Sequence, residues 1–162
     1  MRERLTLNSL RDESGVALVE FALVLPLLLL LLFGMLDFGK AFNYWIDETH
    51  LANEAARWAV VNNNPGSGTL QAWVLSQADT PELRNGGTSS VPTKAQVCIS
   101  FPNNAQTGTS GLVGDPVNVT VSVTYNWLPF VGGRINKTNV TIVGNSTMRL
   151  EAVPTNYSAG CS

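Results

Sequence analysis

The sequence predicts an α+β fold in which a long N-terminal helix, membrane-spanning and then amphipathic, packs on a small antiparallel β-sheet. Three patterns lead there. Eighteen of the 21 positions from 16 to 36 are apolar, the exceptions being Glu20, Pro26 and Gly34. From 37 to 61 polar and apolar side chains each recur at spacings of three and four, the period of a helix with two different faces. Beyond residue 95 the period becomes two, which is that of a half-buried strand.

Residues 1–15 are short, polar and charged, and read as a cytoplasmic leader. Arg2, Arg4 and Arg11 precede the apolar run, and Lys40 is the only Lys or Arg in the 20 positions after it. That asymmetry keeps the amino terminus in the cytoplasm, although Glu3, Asp12 and Glu13 leave the leader without net charge. Residues 16–36 form a helix about 30 Å long, the thickness of a bilayer's hydrocarbon core. The run exceeds a signal-peptide h-region, and the following DFGKAFNYW lacks the small residues of a signal cleavage site. Phe38, Phe42, Tyr44 and Trp45 then fall where an aromatic belt would meet the outer interface.

Residues 37–61 extend the same helix. Phe38, Phe42, Trp45, Thr49, Ala52, Ala56 and Ala59 are expected on one side, and Lys40, Asn43, Asp47, His50, Glu54 and Arg57 on another. The alanines Ala52, Ala55, Ala56 and Ala59 make one side narrow, so that a sheet or a second helix can approach closely. NNNPGSG at 62–68 ends the helix. A short helix is expected at 69–78, with Leu70, Trp73, Val74 and Ala78 on one side, and then a loop through Gly86, Gly87 and Pro92.

The domain at 62–162 is completed by strands near 95–101, 117–127 and 139–153. VNVTVSVTY at 117–125 alternates strictly, with Val117, Val119, Val121, Val123 and Tyr125 on one face. AQVCISF at 95–101 turns Ala95, Val97, Ile99 and Phe101 inward and Cys98 outward. Residues 139–153 supply one bulged strand or two short ones. Connections through Pro129, Gly132 and Gly133 are long enough for a meander. The only two cysteines, Cys98 and Cys161, both follow the span. An even count in an exported domain favours a disulfide, here one tying the tail to the outside of the sheet.

Composition excludes several function classes. Ten Lys and Arg against twelve Asp and Glu, with no basic block, offer nothing to neutralise a row of phosphates, and no nucleic-acid partner is expected. One His and two well-separated Cys do not make a zinc site. A Ser-His-acid triad would have to recruit His50 from the helix. TGTSGLVG at 107–114 lacks the lysine of a phosphate loop and reads as a flexible turn. Asn-x-Ser/Thr triplets at Asn118, Asn136, Asn139 and Asn145 follow from strand composition. No catalysis, metal or cofactor is expected.

The informative residue is Glu20. A carboxylate near the bilayer centre costs roughly 2.5 to 3.5 kcal/mol. Glu20 lies about 7 Å into the helix, near enough to the interface to snorkel. Its place after Gly15, in G-VALV-E, resembles the processing site of type IV prepilins. EFALVLPLLLLLLFGMLDFGKAF at 20–42, and less closely VTVSVTYNWLPFVGG at 119–133 and TMRLE at 147–151, are similar to TadE-like pseudopilins of tight-adherence (Flp, type IVc) pili. The resemblance implies a pilin-like fold in a single-pass protein of the bacterial inner membrane, with its C-terminal domain extracytoplasmic. It implies cleavage between Gly15 and Val16 by a prepilin peptidase, and pairing of Glu20 with the terminal amine of a neighbouring subunit. It also implies a role as minor pilin or pseudopilin at the tip or base of a pilus. The partners are then other pilin and pseudopilin subunits, the inner-membrane assembly platform and the lipid bilayer. Pro26 would kink the helix to suit subunit packing. The competing reading is an uncleaved, membrane-anchored extracytoplasmic binding domain.

Overall fold

The computed structural model describes residues 13–127 and 139–162. The leader up to residue 12, with Arg2, Arg4 and Arg11, lies outside the described residues, as do the Asn136 triplet and the connection through Pro129, Gly132 and Gly133. The chain divides into two units, Met1–Leu36 and Asp37–Ser162.

Helix α1, Glu13–Val60, passes through both units and continues through Pro26. In the first unit its apolar side chains from Val16 to Leu36 are exposed, apart from the half-buried Leu25. Among the described residues α1 alone is long and apolar enough to cross a membrane, judged by length and composition.

In the second unit α1 packs over a four-stranded antiparallel sheet of order β3-β2-β1-β4. The strands are β1 Gln96–Ser100, β2 Pro116–Asn126, β3 Asn139–Arg149 and β4 Gly160–Cys161. The alternation in β2 is realised in full: Val117, Val119, Val121, Val123 and Tyr125 are buried, and the residues between them are half-exposed. Ala95, Val97 and Ile99 join them from the β1 segment. β3 is one strand without a bulge, in continuous register with β2 from Asn126↔Asn139 to Pro116↔Arg149. At its end the chain leaves the sheet, and the N–H groups of Glu151 and Ala152 donate to the carbonyl of Val60 at the end of α1.

Two elements were not expected from sequence. Helix α3, Pro81–Asn85, occupies part of the expected loop, with Thr80 as N-cap and Pro81 as its first residue. β4 pairs with β1, and Cys98↔Cys161 are register partners joined by the disulfide on the sheet's outer face. Helix α2, Leu70–Ser76, forms as expected, its first turn closed by the Thr69 hydroxyl, which accepts from the N–H of Ala72. Trp73 packs edge-on against Trp58 of α1 at 5.6 Å.

The buried side of α1 differs from expectation over its first turns. Phe38, Phe42 and Trp45, expected on one side with the alanines Ala52, Ala56 and Ala59, are 63%, 50% and 47% exposed, whereas Asp37, Ala41, Tyr44, Asp47 and Glu48 are buried with those alanines. The small residues decide this. Ala52, Ala55 and Ala59 lie in the core with no exposed surface, and stepping back from them by three and four leads to Glu48, Tyr44, Ala41 and Asp37. Hydropathy assigns carboxylates to water because they are seldom fully buried, so the sequence pattern grouped the aromatics, rather than Asp37 and Glu48, with the alanines. Tyr44, counted with the outer aromatic belt, is therefore a core residue. Asp47, expected among the polar side chains, lies under α3.

Candidate functional site

The predicted assembly residues lie in the first turns of α1. Gly15, Val16 and Glu20 are exposed there, at the start of the apolar run and within the first unit. Val16 and Glu20 are four residues apart, so both project from one side of the helix about 6 Å apart along its axis. Among the described residues no side chain hydrogen-bonds or ion-pairs with Glu20. A carboxylate presented this way, on a bare apolar helix, is available to a cation from another molecule. The attraction strengthens as water is excluded.

In the second unit α1 carries three further carboxylates that are buried, Asp37, Asp47 and Glu48. Tyr125, at the end of β2, donates its hydroxyl to Asp37 Oδ1 at 2.5 Å. Its ring lies 5.6 Å from that of Tyr44 and meets Trp127 edge-on at 5.3 Å. Burial, and then the neighbouring Asp37 carboxylate, push the Tyr125 phenol well above the ordinary tyrosine range. Tyr44 is raised by burial first, then by the charges of Glu82 and Asp37. These rings and Asp37 fasten the base of the second unit's helix to the sheet.

Asp47 accepts from the N–H groups of Asp79 and Thr80 and from the Thr80 hydroxyl. It thereby satisfies backbone donors at the start of α3, where a negative charge is favourable. Glu48 is different. It is fully buried, and neither carboxylate oxygen has a hydrogen-bond partner. Burial, with Asp47 adding to it, lifts its pKa to about 9. Glu48 is therefore a neutral acid at physiological pH.

His50 lines an exposed groove of about 680 Å³ with Asn53, Glu54, Arg57, Trp58, Val61 and Met148, and that lining contains neither a serine nor a cysteine. Among the described residues no three His, Cys, Asp or Glu side chains converge as a metal site would require. The loop at 101–115, of which 107–114 was expected to be a flexible turn, is organised around Asp115, which accepts from Asn104 Nδ2, the Thr109 hydroxyl and the N–H of Leu112. These donors hold its carboxyl below the usual range against the opposing effect of burial.

What distinguishes the chain is thus a long exposed apolar helix, opened by Gly15 and Glu20 and continuing into a small sheet domain. Residues 15–57 match the family described as TadE-like protein. The chain carries a TadE-like domain. The match begins at Gly15 and ends within α1, so the TadE-like signature resides in the helix, and the sheet lies beyond the matched residues. No curated protein and no solved structure matches the chain. The matched segment belongs to α1, the one helix among the described residues long and apolar enough for a single membrane anchor. The disulfide Cys98–Cys161 closes the chain's C-terminal end onto the sheet.

Proposed function

We propose that this TadE-like protein is a minor pilin or pseudopilin of a tight-adherence pilus. In this reading it is inserted in the inner membrane with its leader in the cytoplasm and its sheet domain outside. A prepilin peptidase cuts the Gly15–Val16 bond, and the shortened chain is passed by the assembly platform to other pilin subunits. Its role is structural, at the filament's tip or base, rather than catalytic.

The observation that carries the proposal is the exposed carboxylate of Glu20, four residues after Val16, on an apolar helix that buries none of its most apolar stretch within the chain. Cutting after Gly15 creates an α-amine at Val16. An amine of one subunit and the Glu20 carboxylate of its neighbour would then meet in a low-dielectric environment, where each lacks water and the pairing is strongest. Pro26 lacks a backbone N–H, and a looser helix there would adapt to a neighbour's surface.

Replacing Glu20 by Ala tests the assembly role. Membrane insertion should persist, because an apolar residue replaces a costly one, while incorporation of the protein into pili should be lost. Normal incorporation of the Glu20→Ala chain would contradict the pairing.

A further inference from the structure

Arg149, the last residue of β3, is exposed, and its Nη1 donates to the carbonyl of Gly114 at 2.9 Å. The backbone is tied at the same place: Gly114 donates its N–H to the carbonyl of Leu150, and Leu150 donates to that of Asp115. The guanidinium is therefore held at one nitrogen, with its other N–H groups left to bind. Among the described residues no carboxylate pairs with it. Two hollows of about 470 and 580 Å³ meet at this side chain, and Asn104, Gln106 and Arg149 line both. Their loop wall is rigid. The N–H of Asn104 donates to the carbonyl of Thr109, that of Gly108 to the carbonyl of Asn104, and that of Gln106 to Asn104 Oδ1, while buried Asp115 holds Asn104 and Thr109. A loop bonded in this way presents its outward side chains at little further cost in ordering.

Those side chains define the chemistry of a ligand. The amides of Asn103 and Gln106 are exposed, and neither side chain bonds to a described residue; Thr107 and Thr147 add hydroxyls, one to each hollow. Arg149 is the one Lys or Arg in either lining, and Asp115, its charge committed to the loop's own donors, stands in the wall of the second. One cation beside a fixed negative charge disfavours a dianion such as phosphate. It suits a single carboxylate, whose two oxygens match the fork of a guanidinium. The free amides are suited to neighbouring hydroxyls, which both donate and accept. Leu112 and Val113, 50% and 62% exposed, supply an apolar wall for C–H groups. A hydroxylated ring that carries one carboxylate has all of these complements.

We infer that the groove between the 101–115 loop and the end of β3 binds an acidic saccharide, the carboxylate of a uronic acid unit resting on Arg149 and its hydroxyls on Gln106 and Asn103. Every residue of this site belongs to the second unit, so the inference is independent of the membrane and pilus reading. The site is also remote from the connection between Trp127 and Asn139. From 139 to 149 the strand rises about 33 Å, whereas the eleven residues 128–138, going out and returning, reach about 20 Å at most. Because the two hollows meet at Arg149, a chain of sugar units can extend to either side of the bound carboxylate, and an oligosaccharide gains contacts that a single acid lacks.

The test titrates full-length protein in detergent with trigalacturonate by calorimetry, with maltotriose as the neutral trimer. Trigalacturonate should bind, and maltotriose should bind about tenfold more weakly or not at all, because it lacks the charge-assisted hydrogen bonds. Arg149→Gln should weaken trigalacturonate by about tenfold or more with an unchanged melting temperature. Gln106→Ala, which removes only an exposed amide, should weaken it by about threefold. Acetate at the same concentration of carboxylate should not displace the trimer. No binding of trigalacturonate to the unaltered chain, equal binding of maltotriose, or full affinity in both variants would overturn the inference. Displacement by acetate would overturn it as well, since the site would then hold a carboxylate without recognising the sugar.

Discussion

Gly144 of β3 lies directly against the backbone of Glu48 in α1: a Cβ at 144 would sit 2.3 Å from the Glu48 carbonyl carbon and 2.5 Å from the nitrogen of Thr49. Neither neighbour is the movable end of a side chain, so strand and helix must separate to admit any other residue. The Gly144→Ala chain should lose about 1–3 kcal/mol, the range for overpacking a well-filled contact. Thermal denaturation of the detergent-solubilised chain reads this directly. An unchanged melting temperature would mean that α1 does not approach the sheet so closely.

Glu48 has no exposed surface, and its burial makes stability pH-dependent. Its folded pKa of about 9 stands above the ordinary value of 4.5. A raised carboxylate leaves the fold at full strength below about pH 4.5 and weakens it as pH climbs towards 9, because the unfolded chain releases the proton first. Between pH 4.5 and 7 this amounts to about 3 kcal/mol. Denaturant midpoints should fall across that interval. The Glu48→Gln chain, which cannot ionise there, should show a flatter profile and greater stability at pH 8.

Tyr125 joins β2 to Asp37 through its hydroxyl. Removing that donor while keeping the ring, in Tyr125→Phe, should cost about 1–3 kcal/mol, the range for a buried hydrogen bond to a carboxylate. The companion substitution Asp37→Asn retains an acceptor and should cost less. Equilibrium unfolding of both variants checks the order.

The disulfide closes a loop between residues 63 apart in sequence. Chain-entropy reasoning assigns such a loop about 4 kcal/mol. Replacing both cysteines by serine should lower the unfolding midpoint accordingly, and protease should then cleave near Tyr157 before cutting β2.

Much of this architecture was legible from period alone. VNVTVSVTY reads as a strand with one buried face because Val and Thr, Ser or Asn alternate without interruption, and β2 follows that reading residue by residue. The tie between Cys98 and Cys161 followed from two thiols beyond an apolar run. The rotation of α1 was less legible. Phe38, Phe42 and Trp45 are bulky and apolar, but alanine contacts fifteen residues further on and the missing side chain of Gly144 set which side of the helix meets the sheet. Glu48 left no signal, since a buried carboxyl without a hydrogen-bond partner stays in the core only by remaining protonated. Helix α3 and β4 were too short for periodicity, and each depends on distant partners: Asp47 for the first, β1 for the second.

Gly15, Val16 and Glu20 were readable because their spacing is local, yet their meaning depends on a covalent event. The most direct measurement is the intact mass of the protein recovered from membranes of cells with an active prepilin peptidase. The account predicts a chain beginning at Val16, lighter by residues 1–15. A chain that keeps its full leader in those cells would contradict the processing and, with it, the paired role of Glu20.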